Sequence, residues 1–164
     1  MRRFLSYLAG KKSEVKELDI KDVVLAKTIL DIHRKRTRKE MTMVPLFSIR
    51  PIHVLDRESA LLATRQRLKM LRARKEELLK AEKITCDALA RFMPSVSWIK
   101  VVQDQPGGYL AFEGNGRIAV LQEVFNPSDG LEVEVEQYHF RNLRKIVRRL
   151  NRVRRFNGLL GINA

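Results

Sequence analysis

The residues best suited to chemistry sit in one stretch, Tyr109-Leu-Ala-Phe-Glu-Gly-Asn-Gly-Arg-Ile-Ala-Val-Leu-Gln122. An alternating apolar segment runs into Gly114 and Gly116, which flank Asn115, and a helical pattern follows. A strand, a glycine loop and a helix start in that order aim backbone N–H groups and the positive end of a helix at one spot. Arg117 adds a fixed charge with a forked set of donors. Gly114, Asn115, Gly116 and Arg117 are therefore expected to hold a phosphate group, although many strand–turn–helix joints carry glycine for geometry alone. Glu113 beside the loop offers a carboxylate for base or metal work. The plainer expectation is that it caps the loop or pairs with an arginine. Asp56 and Glu58 are the other acids that phosphoryl transfer could use, and Asp56 equally suits a helix N-cap. His33, His53 and His139 lie far apart without cysteine or His-x-x-x-His spacing, so no metal site is expected. Cys86 stands alone, which excludes an internal disulfide and favours the role of a small buried apolar residue.

The charge points to a partner. The 164 residues carry 33 Lys+Arg against 19 Asp+Glu, a formal net charge of +14. Such a surplus favours a polyanion: DNA, RNA, an acidic protein or an anionic membrane face. The charge is clustered. The run at 34–39 holds Arg34, Lys35 and Arg36, and a second cluster lies at 65–75. The third holds Arg141, Arg144, Lys145, Arg148, Arg149, Arg152, Arg154 and Arg155, with no acid among them. The first and third runs are the expected nucleic-acid contacts, with binding that weakens steeply in salt. An acidic block, Glu123, Asp129, Glu132, Glu134 and Glu136, lies between the later clusters. It could compensate part of the charge if its strand lies beside a basic helix.

Elements must position these residues. A 45% hydrophobic fraction can build a core, and no apolar run reaches the roughly 18 residues of a membrane span. Residues 14–33 have moderate helical spacing, and the basic run after them reads as a solvated helix end or linker. Residues 43–55, with Pro45 and Pro51, read as a short strand entering an extended turn. A helix is expected over 58–82, with Leu61, Leu68, Leu71, Leu78 and Leu79 as its stripe, then a second over 85–92. A strand is expected from Val96 through Trp98 to Val101, with Trp98 in the core. The turn Gln105-Pro-Gly-Gly108 should join it to 109–112 as an antiparallel hairpin. Residues 118–125 should be helical, facing inward at Ile118, Leu121 and Phe125. After a turn at 126–130, Leu131, Val133 and Val135 should point inward from a strand and its glutamates outward. A basic helix over 141–156 closes the pattern, its apolar stripe Ile146, Leu150, Val153 and Phe156. The expected class is α+β, a small mixed sheet with packed helices. The expected division is a basic N-terminal extension, 1–41, and a domain, 42–164. Residues 1–12 lack the long apolar core and cleavage site of a secretory signal and read as an ordinary extension, an organellar transit peptide being the alternative.

Several short motifs in order resemble the sulfiredoxin family and, more broadly, the ParB/sulfiredoxin fold. Phe112-Glu-Gly-Asn-Gly-Arg117, with Ala119 and Gln122, stands where sulfiredoxins carry F-G-G-C-H-R and a helix. Val44-Pro-Leu46, Ile49-Arg-Pro-Ile52 and Asp56 match the V-P-L…I-R-P-L segment and its aspartate-started helix, and Trp98-Ile-Lys100 matches W-I-K. The resemblance covers about 42–150. It implies a nucleotide site, for ATP or, as in ParB-type members, CTP, with Mg as counterion, and adds Arg50 to the phosphate contacts. It also implies a lost reaction. The family's nucleophilic cysteine is Asn115 here and its phosphate-binding histidine is Gly116, and an amide lacks a thiolate's reactivity. The expected function is a phosphate-recognising binding protein, for nucleotide, nucleic acid or both, without sulfinic reductase activity. The alternatives are an ATP-dependent phosphotransferase or sulfiredoxin-like enzyme, and a basic subunit of a large ribonucleoprotein. The expected place is the cytoplasm or nucleoid, with an organelle left open.

Overall fold

The computed structural model describes residues 20–54, 58–93 and 97–160. It begins with helix α1 (Ile20–Lys35), strand β1 (Arg38–Pro45), a short 3-10 turn (Leu46–Ser48) and β2 (Ile49–Pro51). Then come α2 (Glu58–Arg72), α3 (Lys75–Ala81), β3 (Lys83–Ile84) and α4 (Cys86–Phe92). The hairpin β4 (Lys100–Gln105) and β5 (Gly108–Glu113) leads to α5 (Asn115–Val124). A 3-10 turn (Pro127–Asp129), β6 (Glu132–His139) and α6 (Leu143–Phe156) complete it. The class is α+β with a mixed sheet.

Strand β6 is the hub of the sheet, whose order is β1-β6-β4-β5-β2. Along one edge it pairs antiparallel with β1, from Arg38 opposite His139 to Pro45 opposite Glu132. Its other edge takes two parallel partners, β3 at Lys83–Ile84 and β4 at Lys100–Val101. The β4–β5 hairpin turns through Gly107, at φ +70, as the glycine-rich turn demands. The prolines fall where a missing N–H does least harm. Pro45 ends β1 and Pro51 ends β2, and both strands lie at sheet edges.

Both faces of this sheet are covered. One face, through Val44, Val101, Ala111, Val133 and Val135, packs on Leu71 of α2, Leu78 of α3, Leu89 of α4 and Ile118 and Leu121 of α5. The opposite face, through Val102, Leu110, Phe112 and Tyr138, packs on Ile32 of α1 and on Ile146, Leu150 and Val153 of α6. Period-2 alternation sends neighbours such as Val101 and Val102 into different cores.

This second core changes several expectations. Glu136 is buried rather than outward, held by Lys39 at 2.8 Å. Glu134 accepts the Cys86 N–H at 2.8 Å. Of the two readings of the basic run at 34–39, the solvated helix end fits Arg34 and Lys35, exposed in the last turn of α1, and the linker does not, because β1 already begins at Arg38. The helix expected over 58–82 is two helices, and Leu71 and Leu78 are buried on either side of the break. Trp98 is 40% exposed, because β4 starts only at Lys100 and Ile99 takes the inward position. Phe156 is also exposed. The stripe Ile146, Leu150, Val153 is buried as its spacing indicates, and so are Ile118, Leu121 and Phe125.

If α1 is part of the folded unit, Ile32→Ala should behave as a core truncation. We expect a loss of about 2–5 kcal/mol in urea unfolding, and a loss under about 0.5 kcal/mol, the range of surface substitutions, would show that α1 is dispensable.

Candidate functional site

The strand–glycine–helix joint is tighter than its sequence suggests. Gly114 has φ +85, a left-handed conformation, and is the N-cap of α5. Its carbonyl accepts from the Arg117 and Ile118 N–H groups at 3.0 and 3.1 Å. A Cβ at this position would stand 2.9 Å from Ile99 Cγ1 and 3.0 Å from Ile99 Cα, so only glycine fits. Gly116 belongs to the first turn of α5 rather than to a loop.

The flanking side chains point into the protein. Asn115 is 4% exposed; its Oδ1 accepts the Ile52 N–H at 3.0 Å and its Nδ2 is buried without a partner among the described residues. Arg117, expected as a phosphate clamp, is also 4% exposed and donates to the Ser97 carbonyl. Burial and the neighbouring Arg67 charge lower its pKa from the usual arginine value. Arg50 is likewise engaged, in an ion pair with Asp104 of β4. The structure thus ties Gly114 to Ile99 and Asn115 to Ile52, while Arg117 and Arg50 serve protein partners.

The candidate acids and the thiol are committed as well. Glu113 pairs with Lys100 at 2.7 Å and His33 at 2.7 Å, not with an arginine. Burial alone would raise its pKa, but hydrogen bonds from Lys100 and His33 outweigh that and hold the carboxyl below its ordinary value. His33 meets the rings of Phe112 and Tyr138 edge-on, at 5.9 and 5.5 Å, and so fastens α1 to the sheet. Burial and Glu136 push the Tyr138 phenol up to about 12. Burial and Glu134 push the Cys86 thiol up to about 12, so it stays protonated at neutral pH and fits its buried apolar role. Asp56 lies outside the described residues, as does the side chain of Glu58.

The basic residues divide by helical angle. Asn142 caps α6 by accepting the Lys145 N–H at 3.0 Å, and Ile146, Leu150 and Val153 fix one face on the sheet. Arg154 shares that face. It is 7% exposed, donates Nε–H to the Pro51 carbonyl at 3.2 Å, and has its pKa lowered by burial and by Arg50. Arg149 pairs with Asp31 of α1. The sequence offers both as nucleic-acid contacts, and both hold the fold instead. In the first run, Lys35 pairs with Asp31 at 3.5 Å. Arg36 donates to the His33 carbonyl at 2.6 Å and lies 5.6 Å from the Tyr138 ring centre. Arg34 is exposed.

Arg141, Arg144, Lys145, Arg148, Arg152 and Arg155 are exposed. Arg144, Arg148, Arg152 and Arg155 follow at steps of four, four and three, which places them along one face over roughly 16 Å. They line a groove of about 870 Å³ together with Arg149, Asn151 and Asp104. A second groove of about 390 Å³ brings Lys35 together with Arg141 and Lys145, so the two distant basic runs meet at one end of α6. Asp104 and Asn151 were not legible as site residues, because only the packing of α6 beside β4 joins them. No helix among the described residues is long and apolar enough to cross a membrane.

No protein-family model matches the chain, and neither a curated protein nor a solved structure does.

The Glu113 cluster gives a pH dependence of known sign. A carboxyl with a depressed folded pKa stabilises fully above roughly pH 5, and that contribution is lost as pH falls through its folded value. Glu113→Gln should therefore be less stable than the parent above roughly pH 5, with the two urea midpoints converging as the pH falls below that range. Parallel curves across that window would show that the cluster adds no stability.

Proposed function

We propose that this protein is a phosphate-recognising binding protein of ParB/sulfiredoxin-like fold that grips a nucleic-acid backbone, in the cytoplasm or on the nucleoid, without sulfinic reductase activity. The observation that carries the reading is the arginine face of α6. Its opposite face is anchored in the core, so the guanidinium groups stand on a rigid element. No acid interrupts 141–155, and Asp104, the only acid among the described residues lining the groove, is already paired with Arg50. Arginine forks match phosphate oxygens bidentately, and an α-helix is about the width of a DNA major groove. Lys35, Arg141 and Lys145 extend the surface toward α1. The part of the reading that leaves out reductase chemistry is supported by the amide at Asn115 and the protonated thiol of Cys86.

Titration of labelled duplex DNA and structured RNA against salt tests this. Affinity should fall steeply as salt rises, and replacing Arg144, Arg148 and Arg152 together by alanine should flatten the log–log slope by about one for each phosphate no longer held. Absence of binding at about 50 mM salt, where several phosphate contacts are strong, would sink the proposal.

A second reading rests on Asn115. Its Nδ2, without a partner among the described residues, lies at the N-terminus of α5, where the helix dipole favours an anion. In this reading the joint takes the phosphates of ATP or CTP with Mg as counterion. Calorimetry with each nucleotide should then give saturable heat, and none up to roughly millimolar nucleotide would discard it.

A further inference from the structure

Among the described residues, three buried side-chain polar atoms have no hydrogen-bond partner: Asp104 Oδ1, Asn115 Nδ2 and Asn151 Oδ1. Two of the three, Asp104 Oδ1 and Asn151 Oδ1, belong to residues that line the arginine groove. Both are acceptors. A buried acceptor without a donor is destabilising unless something fills it. The Asp104 side chain is 10% exposed, and its other oxygen is taken by Arg50.

The groove therefore asks for a ligand with two properties. It must bring N–H donors to two acceptors, and it must be anionic overall, because Arg144, Arg148, Arg149, Arg152 and Arg155 surround the site. The arginines repel an amine or polyamine, which has the donors but the wrong charge. A phosphodiester strand has the charge, and its bases bring the donors. The bases differ in how they meet a pair of acceptors. Guanine presents two adjacent donors on its pairing edge, N1–H and the N2 amino group. Adenine and cytosine each present an amino group beside a ring nitrogen that is itself an acceptor. Uracil presents one N–H between two carbonyls. A site of two buried acceptors rejects a base that lacks the second donor, since one oxygen stays unpaired. The pairing edge is free only in a single strand, a loop or a bulge.

We propose that the groove between α6 and β4 reads an unpaired guanine, with Asp104 Oδ1 and Asn151 Oδ1 accepting from its N1–H and N2 amino groups while Arg144, Arg148 and Arg152 hold the flanking phosphates. The proposal rests on the reading of α6 as a nucleic-acid face. It gives that face a base preference that charge alone does not confer. The arginine side chains swing onto the phosphates as the base enters, a rotamer change common on binding.

The probes are labelled oligoribonucleotides of uridine with one central guanosine, adenosine or cytidine, beside the all-uridine strand. The guanosine strand should bind about tenfold more tightly than the other three, the scale of one good bidentate base contact. Asn151→Ala and, separately, Asp104→Asn should bring it down to the affinity of the all-uridine strand. Asp104→Asn also loosens Arg50, so Asn151→Ala decides the matter if the former variant fails to fold. Displacement of the bound strand by GTP but not ATP assigns the site to free guanine nucleotide as well; resistance to both assigns it to guanine within a strand. Equal affinity for all four strands overturns the base reading, with water then filling the two acceptors, and leaves α6 as a general phosphate surface. No binding of any strand overturns that surface and the guanine site together.

Discussion

Strand β6 has neighbours on both edges and a helical layer on each face, and this enclosure governs the rest of the molecule. Its odd positions, Val133 and Val135, serve one core, and Tyr138 serves the other. A sheet buried on both sides cannot leave charged side chains unpaired within it, because desolvation of an uncompensated charge is too costly. Glu136 therefore takes Lys39, Glu113 takes Lys100 and His33, and Asp104 takes Arg50. These pairs join strands within the sheet, and through His33 Glu113 also ties α1 to the sheet.

The same constraint separates the arginines of α6 into two kinds. The helix advances 100° per residue, so Leu150, Val153 and Arg154 face the sheet, whereas Arg144, Arg148, Arg152 and Arg155 do not. Arg154 is retained inward because the Pro51 carbonyl, at the end of an edge strand, receives its donor. Arg149, at an intermediate angle, reaches Asp31 and clamps α1. Positive charge is therefore partly structural, and Arg144, Arg148 and Arg152 are left exposed.

The glycine joint obeys a different limit. Gly114 must approach the Ile99 backbone and adopt a left-handed conformation, so a glycine there is explained by packing whether or not a ligand binds. What that packing does not explain is Asn115, whose amide has one end bound to Ile52 and the other without a partner among the described residues.

Local patterns were sufficient for much of the fold. Period-2 alternation placed Val133 and Val135, the glycine turn placed the β4–β5 hairpin, and 3–4 spacing placed Ile146, Leu150 and Val153, because each depends only on neighbours within one element. The α+β class and the concentration of charge in 141–155 were legible for the same reason. Tertiary structure alone decided the rest. That a second layer covers the sheet made Glu136 a buried residue and drew α1 into the fold. That Ile99 packs under Gly114 left Trp98 exposed. Charge gave Arg149, Arg154 and Arg148 the same appearance in the sequence, and only the angle of α6 on the sheet distinguished two structural arginines from one on an open groove. The groove itself joins β4 to α6 across nearly fifty positions of chain, and no local pattern encodes which polar atoms such a contact buries without a partner.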